Sequence, residues 1–258
     1  MRDEYLRIDL NCDMGESFGA YTIGADEALM PLITSANIAC GFHAGDPRVM
    51  DRTVALAQAH GVAVGAHPGF PDLAGFGRRN MQLTPEELEA AVLYQIGALA
   101  AFCRAHGVPI VHVKAHGALY NLAATDAATA SAIARGIARV DRTLAMVGLA
   151  SSDTVARAAA SEGLPFAREA FADRVYNADG TLQSRQIPGS LISDPLRAAQ
   201  QAVNIARGFV IAHDGSRVEI RAQTVCLHGD NPAVLANTQA VRQALQEAGV
   251  EIKRLGAQ

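Results

Sequence analysis

The feature that most constrains the fold is the alternation of short apolar runs with longer amphipathic stretches along almost the whole chain. Each apolar run has the length of a strand, and the stretches between the runs have helical spacing. Such alternation is typical of parallel strands joined by helical crossovers. The strands are predicted at residues 6–12, 35–41, 62–66, 110–115, 144–149, 166–170 and 224–227.

The helix beginnings are marked by a capping residue followed by proline at Asp46, Thr84, Asp194 and Asn231. Helices are predicted near 25–33, 47–60, 85–106, 126–140, 153–162, 194–212 and 232–248. The pattern lapses near 172–191, which predicts an insertion, and 218–221 is a candidate extra strand. No linker divides the sequence, so residues 1–258 are predicted to form a single α/β domain, a (β/α) barrel that is seven-stranded or a distorted TIM-like barrel.

Charge and cysteine usage exclude several classes of function. The net charge of −4 and the pI near 6.0 give no basic surface for nucleic acid. No run of eighteen apolar residues occurs and the charged amino terminus lacks the apolar stretch of a secretory signal, so we expect a cytoplasmic protein without a membrane span. The four cysteines form no CxxC pair, which indicates reduced, mostly buried thiols.

Histidines recur where the predicted strands end. Reactive groups of (β/α) barrels lie at the carboxyl ends of the strands, and there the chain has His43, His67, His116 and His228, each followed within two residues by glycine. One such histidine is most simply a hydrogen-bonded turn residue. Four on one face of a barrel predict a pocket in which imidazoles share a ligand or a metal, with His43 facing the barrel mouth.

Two predicted strands carry polar residues on a face that should be buried. Residues two apart share a face of a strand, which groups Asp9, Asn11 and Asp13 on the first strand, and His112, Lys114 and His116 at the fourth. The chain has only two lysines, Lys114 and Lys253. An inward ammonium needs a carboxylate partner or a bound anion, so Lys114 is predicted to be functional.

The loop after the third strand, residues 67–83, is long and rich in glycine and proline, as binding lids often are. Its Arg78 and Arg79 are candidates to clamp a substrate carboxylate, although both could be solvated loop residues. Asp13 with His43 and His67 could bind a divalent ion. The sequence has no GxxxxGK[ST] loop, no GxGxxG after a strand, no HExxH and no GxSxG. The carboxylate and histidine set suits general acid–base hydrolysis or a metal-bound water.

Six phrases in this order resemble the LamB/YcsF family: DLNCDMGESFG, SANIACGFHAGDP, VGAHPGFPDLAGFGRR, VKAHGALYN, REAFADRVY and CLHGDNP. They cover about residues 8 to 232. The resemblance implies a barrel related to the glycoside hydrolase/polysaccharide deacetylase superfamily. It also implies opening of 5-oxo-L-proline to L-glutamate with ATP as co-substrate, together with two partner subunits, B and C. Because a standard P-loop is absent, the hypothesis is that the partners bind ATP or activate the lactam.

Roles for individual residues follow from combining this activity with the predicted pocket. Lys114 would stabilise oxyanion or phosphate charge, and Arg78 would hold the substrate carboxylate. The predicted catalytic residues are Asp13, Glu16, His43, His67, Lys114, His116, Glu169 and His228. The predicted substrate-binding residues are Asn11, Asp46, Arg78, Tyr120 and Asp230, although Asp46 is expected to serve mainly as a helix cap.

Two other functions remain open at this point. One is a metal-dependent amide hydrolase or deacetylase that acts without partners. The other is a non-catalytic subunit that binds the lactam or holds B and C together. The sequence does not distinguish a monomer from a homo-oligomer.

Overall fold

The computed structural model describes residues 6–255, in which seven parallel strands close into a barrel. The strands of the chain are β1 (Arg7–Met14), β2 (Ser35–Ala39), β3 (Ala63–His67), β4 (Ile110–Lys114), β5 (Ala145–Leu149), β6 (Phe166–Phe171), β7 (Phe209–Ile211), β8 (Arg217–Glu219), β9 (Thr224–Leu227) and β10 (Glu251–Ile252). The barrel runs β1-β2-β3-β4-β5-β6-β9 and closes through pairing of β9 with β1. The short β10 adds to the beginning of β1, and β7 and β8 form a separate antiparallel hairpin. The predicted seven-stranded barrel is confirmed.

Helices cover the outside of the barrel and begin largely where the capping signals predict. They are α1 (Asp26–Leu29), α2 (Pro47–His60), α3 (Pro85–Ala105), α4 (Gly117–Ala123), α5 (Ala127–Val140), α6 (Asp153–Ser161), α7 (Pro195–Ala206) and α8 (Val234–Glu247), with a 3-10 turn at Met30–Leu32. The side chains of Asp46 and Asp194 accept hydrogen bonds from the first turns of α2 and α7. Thr84 and Glu87 form a complete capping box on α3.

The helices differ from the prediction at two boundaries and by one additional helix. Helix α8 begins at Val234, because the Asn231 side chain accepts from the Ala233 amide two residues later and forms a turn instead of a cap. Helix α7 ends at Ala206, and the apolar residues after it form β7. The short helix α4 directly after β4 was not predicted.

The barrel interior is polar over much of its length, as the strand periodicity predicts. Asp9 accepts hydrogen bonds from Ser35, Thr34 and Thr224 at one level, and burial raises its pKa to about 6. At the next level, Asn37 donates to Asn11 and Asp13 and accepts from the His112 ring. These bonds satisfy polar groups that would otherwise be costly to bury, and they lead up to the carboxyl ends of the strands.

Gly65 on β3 leaves the space that the His112 ring occupies inside the barrel. A Cβ at Gly65 would lie 2.0 Å from His112 Nε2. We expect Gly65→Ala to lower the free energy of unfolding by about 2–3 kcal/mol, as overpacking of a core does. Denaturant unfolding followed by circular dichroism measures this change. The matched control is Gly97→Ala on the exposed side of α3, where no heavy atom lies within 4 Å and we expect a gain of about 0.5–1 kcal/mol. Equal effects of the two variants would contradict this assignment of Gly65.

Among the described residues, α3 is the one helix long and apolar enough to cross a membrane by length and composition. In the barrel it packs with Leu88, Val92, Ile96 and Leu99 buried, while Glu86 and Glu87 occupy its first turn. The four cysteines are all free and buried.

Candidate active site

The predicted site residues gather at the carboxyl ends of the strands, around an open cavity of about 630 Å³. Volumes of this size are usual for small-molecule sites. The cavity lies between the loop after β3, helix α4 and the segment that joins β6 to α7. The predicted residues that line it are Asp13, His67, Arg78, Lys114, His116, Tyr120 and His228.

The other predicted residues lie behind the lining or away from it. Asn11 and Glu169 are buried below the floor, where the Asn11 amide donates to Glu169. Asp46 accepts from the backbone amides of Arg48, Val49 and Gly19, so its carboxylate is occupied by capping; its predicted substrate contact has no support in this geometry. Asp230 forms an ion pair with Arg78, with 2.7 Å between Oδ2 and Nη2.

Lys114 stands at the floor of the cavity in a cluster with Asp13, Glu169 and Cys226, here called the lysine cluster. Its Nζ lies 3.0 Å from Asp13 Oδ1, 2.9 Å from Glu169 Oε1 and 3.0 Å from Cys226 Sγ. The side chain is 3% exposed. Of the two predicted ways to stabilise an inward lysine, a carboxylate partner or a bound anion, the structure shows carboxylate partners.

The groups of the lysine cluster keep one another charged, although their burial disfavours the charged forms. Burial alone would lower the pKa of Lys114, but the Asp13, Cys226 and Glu169 groups raise it well above its usual value. Burial alone would raise the pKa of Asp13, and the Lys114 ammonium and His67 hold it well below its usual range. A permanent cation therefore stands at the floor of the cavity at neutral pH.

Tyr120 presents a phenol beside this cluster. Its hydroxyl is buried beside the Glu169 carboxylate, and neither the hydroxyl nor Glu169 Oε2 makes a hydrogen bond of good geometry within residues 6–255. Burial and then the Glu169 carboxylate raise the pKa of Tyr120 well above its usual value, so the hydroxyl remains a donor. The hydroxyl can donate either to the neighbouring Glu169 carboxylate or to a ligand in the cavity that it lines.

Glu16, His43, His67 and His116 form a second buried group, here called the histidine cluster. One ligand atom from each residue lies within 4.8 Å of those of the other three. Glu16 Oε1 lies 3.8 Å from His43 Nε2 and 3.5 Å from His116 Nδ1. The rings of His43 and His116 are stacked with centroids 3.7 Å apart.

Backbone carbonyls fix the orientation of two of these rings. His67 Nδ1 lies 2.7 Å from the Lys114 carbonyl oxygen, and His116 Nε2 lies 2.9 Å from that of Phe76. A carbonyl oxygen can only accept, so both nitrogens carry hydrogen. The remaining nitrogens, His67 Nε2 and His116 Nδ1, face each other at 3.0 Å. A proton or a metal ion between these two nitrogens would be bound by both.

The histidine cluster fits a metal ion better than a proton alone. Glu16 Oε1 and both ring nitrogens of His43 are buried without a hydrogen-bond partner in the described part of the chain. Burial, then neighbouring histidines, lower the pKa values of His43 and His116 well below the usual value, so these rings are neutral. Neutral imidazoles whose other nitrogen donates to a carbonyl are the usual form of metal-bound histidine. The cluster could therefore hold a divalent metal through these four side chains.

The geometry bears on two predictions about this cluster. Of the predicted ligand set, Asp13 with His43 and His67, the fold brings Asp13 Oδ1 to 3.4 Å from His67 Nε2 and 3.0 Å from Lys114 Nζ, while Glu16 and His116 complete the four-residue group around His43 and His67. His43 does not face the barrel mouth. It is fully buried, because the loop after β3 folds over it and Gly77 comes so close that a Cβ there would lie 2.7 Å from the His43 Cβ.

Asp173 is a polar site residue that the sequence reasoning missed. It is fully buried after β6 and accepts from His228 Nδ1 at 2.9 Å and from the His228 amide at 3.0 Å. Burial would raise the pKa of Asp173, but His228 lowers it. The pairing leaves Nε2 of His228 as the nitrogen not committed to Asp173, in a side chain that lines the cavity. The sequence phrase REAFADRVY contains both Glu169 and Asp173, but only Glu169 is among the predicted site residues.

Two further arginines at the cavity, Arg174 and Arg185, were also missed. They belong to the segment between β6 and α7, which has no regular spacing from which to orient a side chain. Arg79, which was predicted with Arg78 as a candidate to clamp a substrate carboxylate, instead forms an ion pair with Asp72.

Comparison with known proteins gives a consistent result over the whole chain. The model of the LamB/YcsF family matches residues 8–258. A protein of Symbiobacterium thermophilum, named as the A subunit of 5-oxoprolinase, is 56% identical over all of this chain and 98% of its own length. A Bacillus subtilis protein of the same name is 51% identical over 98% of both chains.

A solved structure extends the comparison to the fold. The crystal structure of a lactam utilization protein from Thermus thermophilus superposes with a TM-score of 0.92, at 50% identity, over 96% of this chain and 100% of that one. The match therefore covers the barrel and the segments that surround the cavity. On the family model and the full-length relatives, the chain belongs to the LamB/YcsF family.

Proposed function

We propose that this chain is the A subunit of an ATP-dependent 5-oxoprolinase, which hydrolyses 5-oxo-L-proline to L-glutamate together with subunits B and C. Relatives named as the A subunit of 5-oxoprolinase, at 51–56% identity over nearly the full chain, support this proposal. The observation that carries a catalytic role is the buried Lys114 ammonium at the floor of a cavity that also contains the His228 and Asp173 pair.

The chemistry explains why ATP is used. A five-membered lactam is a stable amide, and transfer of a phosphoryl group from ATP to its carbonyl oxygen makes the ring carbon a better electrophile and releases ADP. Water then adds to that carbon, the C–N bond breaks, and the nitrogen takes up a proton. The resulting acyl phosphate gives glutamate and phosphate when a second water attacks it. The phosphoryl group must stay attached until the ring has opened, because its earlier loss would return the intact lactam.

Lys114 and Tyr120 suit the stabilisation of charge on the reacting oxygen. The ammonium of Lys114 is fixed by Asp13 and Glu169, so it needs no reorganisation when negative charge develops above it. The buried Tyr120 hydroxyl has a hydrogen to donate. Both side chains line the same cavity.

His228 is the side chain best suited to move protons. Asp173 holds its Nδ1 hydrogen, which leaves Nε2 to take a proton from water and return it to the leaving nitrogen. Its side chain is 12% exposed, enough to meet water at the cavity wall. Arg78 is placed at the mouth, where its guanidinium can bind the carboxylate of the substrate.

The histidine cluster is proposed to hold a divalent metal ion through Glu16, His43, His67 and His116. Imidazole and carboxylate ligands suit zinc and the neighbouring first-row metals. Such an ion would supply Lewis-acid stabilisation beside the cavity wall formed by His67 and His116.

Partners and location follow from the same proposal. The sequence lacks a standard P-loop, so we assign ATP binding to the partner subunits and ring opening to this chain. The four free, buried cysteines fit a reducing compartment, and we place the protein in the cytoplasm.

The test measures glutamate and ADP formed from 5-oxo-L-proline and ATP by this chain alone, by B and C alone, and by all three. We expect glutamate only from the three together. Undiminished glutamate formation by B and C without this chain would contradict the proposal.

The histidine cluster favours one alternative, a metal-dependent amide hydrolase that acts alone. That function predicts amide cleavage by this chain with added Zn²⁺ or Mn²⁺ and without ATP. Cleavage of 5-oxo-L-proline or simple amides under those conditions would favour the alternative over the ATP-coupled proposal.

A further inference from the structure

Three arginines converge on the mouth of the cavity and are here called the arginine rim: Arg78, Arg174 and Arg185. Arg78 comes from the loop after β3, and the other two come from the segment between β6 and α7. Arg78 Nη2 lies 2.7 Å from Asp230 Oδ2, and Arg185 Nη1 lies 3.5 Å from the same oxygen. One carboxylate oxygen thus serves two guanidinium groups.

Arg174 is unusual because it is a buried cation with an unused donor. It is 5% exposed, and its Nη2 donates to the Gln183 carbonyl oxygen. Its Nε is buried and has no hydrogen-bond partner anywhere in residues 6–255. Burial, and then Arg185, lower the pKa of Arg174 to about 10, so it is still charged at neutral pH. Burying a charge with an unpaired donor is costly, and a ligand in the cavity that it lines would offset this cost.

The rim has more positive than negative charge. Asp230 is shared between Arg78 and Arg185, and Asp173 is engaged by both the ring and the amide of His228. Asp13, the acidic side chain in the described lining, pairs with Lys114. The lactam substrate carries a single negative charge, which balances only one guanidinium. A cavity of about 630 Å³ is also much larger than a five-membered lactam.

We propose that the arginine rim binds the phosphoryl group of the ATP-coupled reaction, with Arg174 and Arg185 as its main contacts and Arg78 shared with the substrate carboxylate. A phosphoryl group carries about −1.5 to −2 charges near pH 7 and offers three acceptor oxygens, which matches several guanidinium forks. The inference rests on the proposed function. The phosphoryl group reaches the rim either on the activated lactam or as part of a nucleotide.

The first test is binding of inorganic phosphate, ADP, ATP and 5-oxo-L-proline to the full chain, measured by calorimetry. We expect phosphate to bind, and Arg174→Gln or Arg185→Gln to weaken its binding by about tenfold or more. The matched control is Arg197→Gln, an exposed arginine on α7, with unchanged binding. Phosphate binding strengthened by 5-oxo-L-proline supports the activated lactam as the source. ATP binding more than about tenfold tighter than phosphate, and in competition with it, supports the nucleotide.

The second test uses the complex with B and C and measures ADP and glutamate together. If the rim retains the phosphoryl group until the ring opens, Arg185→Gln should form ADP in excess of glutamate, while the unaltered chain forms them in equal amounts. Because Arg185 is 26% exposed, its replacement should leave the fold intact even if Arg174→Gln does not.

Failure of the rim and failure of the proposed function give different results. If the complex makes glutamate but the chain binds neither phosphate nor nucleotide, the phosphoryl-binding role of the arginine rim is contradicted and the proposed function is not. Equal loss of phosphate binding in Arg185→Gln and Arg197→Gln also overturns it. A chain that binds phosphate through Arg174 and Arg185, in a complex that makes no glutamate, overturns the proposed function and keeps the anion site.

Discussion

Lys114→Met should reduce glutamate formation by the assembled complex at least about 10²–10³-fold. Loss of one preorganised group that stabilises developing oxyanion charge has effects of this size. Lys114 has the geometry for such a role, because Asp13 and Glu169 fix its ammonium within 3.0 Å at the floor of the cavity. Steady-state kinetics should show the loss mainly in kcat. The matched control is Lys253→Met, since the other lysine follows β10 at the opposite end of the barrel and its amide bonds to Ile8.

The same substitution should destabilise the fold, and this effect must be separated from loss of chemistry. Removing the cation leaves two buried carboxylates, and breaking a buried ion pair costs about 3–5 kcal/mol. The double variant Lys114→Met with Glu169→Gln keeps the net charge of the lysine cluster. We expect it to recover part of the lost thermal stability and none of the activity. Full activity in the single variant, or activity that returns with stability in the double variant, would contradict the catalytic role of Lys114.

Much of the fold could be predicted from the sequence because its signals are local. Proline after an N-cap residue marks the start of a helix, as at Asp46 and Asp194. The signal failed at Asn231, where the same kind of residue pair made a turn before α8. Helix α4 was missed because it has only seven residues and leaves the strand end directly, with no capping side chain at His116. Propensity gives little information over so short a segment.

The sequence predicts the site residues that lie at the ends of regular strands, and it misses those in irregular segments. Lys114 and His67 are in regular strands, where alternation fixes the direction of a side chain. Asp173, Arg174 and Arg185 lie in an irregular segment, and their approach to the cavity depends on tertiary contacts that no local period encodes. Burial was also beyond prediction for His43, because it results from packing of the loop after β3, which is distant in sequence.

The predicted metal ligands illustrate the same limit. The sequence placed Asp13 with the histidines because all follow strand ends. In the barrel, the Asp13 carboxylate contacts both Lys114, at 3.0 Å, and His67, at 3.4 Å, and both groups lower its pKa. Gly15 has a positive φ of 68° and turns the chain after β1, so that Glu16 enters the histidine cluster instead. The contact of one carboxylate with both Lys114 and His67 is not visible in the spacing of residues.

Glu16→Gln should change the stability of the metal-free protein and that of the metal-bound protein in different directions. Burial, and then the Asp13 and Asp230 charges, raise the pKa of Glu16 well above its usual value. A carboxyl group whose pKa is higher in the folded protein stabilises the fold below the unfolded pKa and loses this contribution as pH rises through the folded one. In chelator at about pH 8, an isosteric amide removes any ionised carboxylate, so the Tm of Glu16→Gln should equal or exceed that of the unaltered chain.

Metal should reverse this order. A divalent ion at about a hundred times its Kd adds about 2.7 kcal/mol, or roughly 5–10 °C in Tm for a chain of this size. Glu16→Gln and His43→Gln should lose most of that gain and retain less metal after purification without chelator, measured by elemental analysis. The control is His60→Gln at the end of α2, a histidine outside the cluster, which should keep both the shift and the metal. Because both ring nitrogens of His43 are unpartnered among the described residues, its replacement costs the fold little besides packing. A metal-induced shift of equal size in all three variants would show that the ion binds elsewhere, and no shift in the unaltered chain with Zn²⁺, Mn²⁺, Co²⁺ or Ni²⁺ would exclude these ions from the cluster.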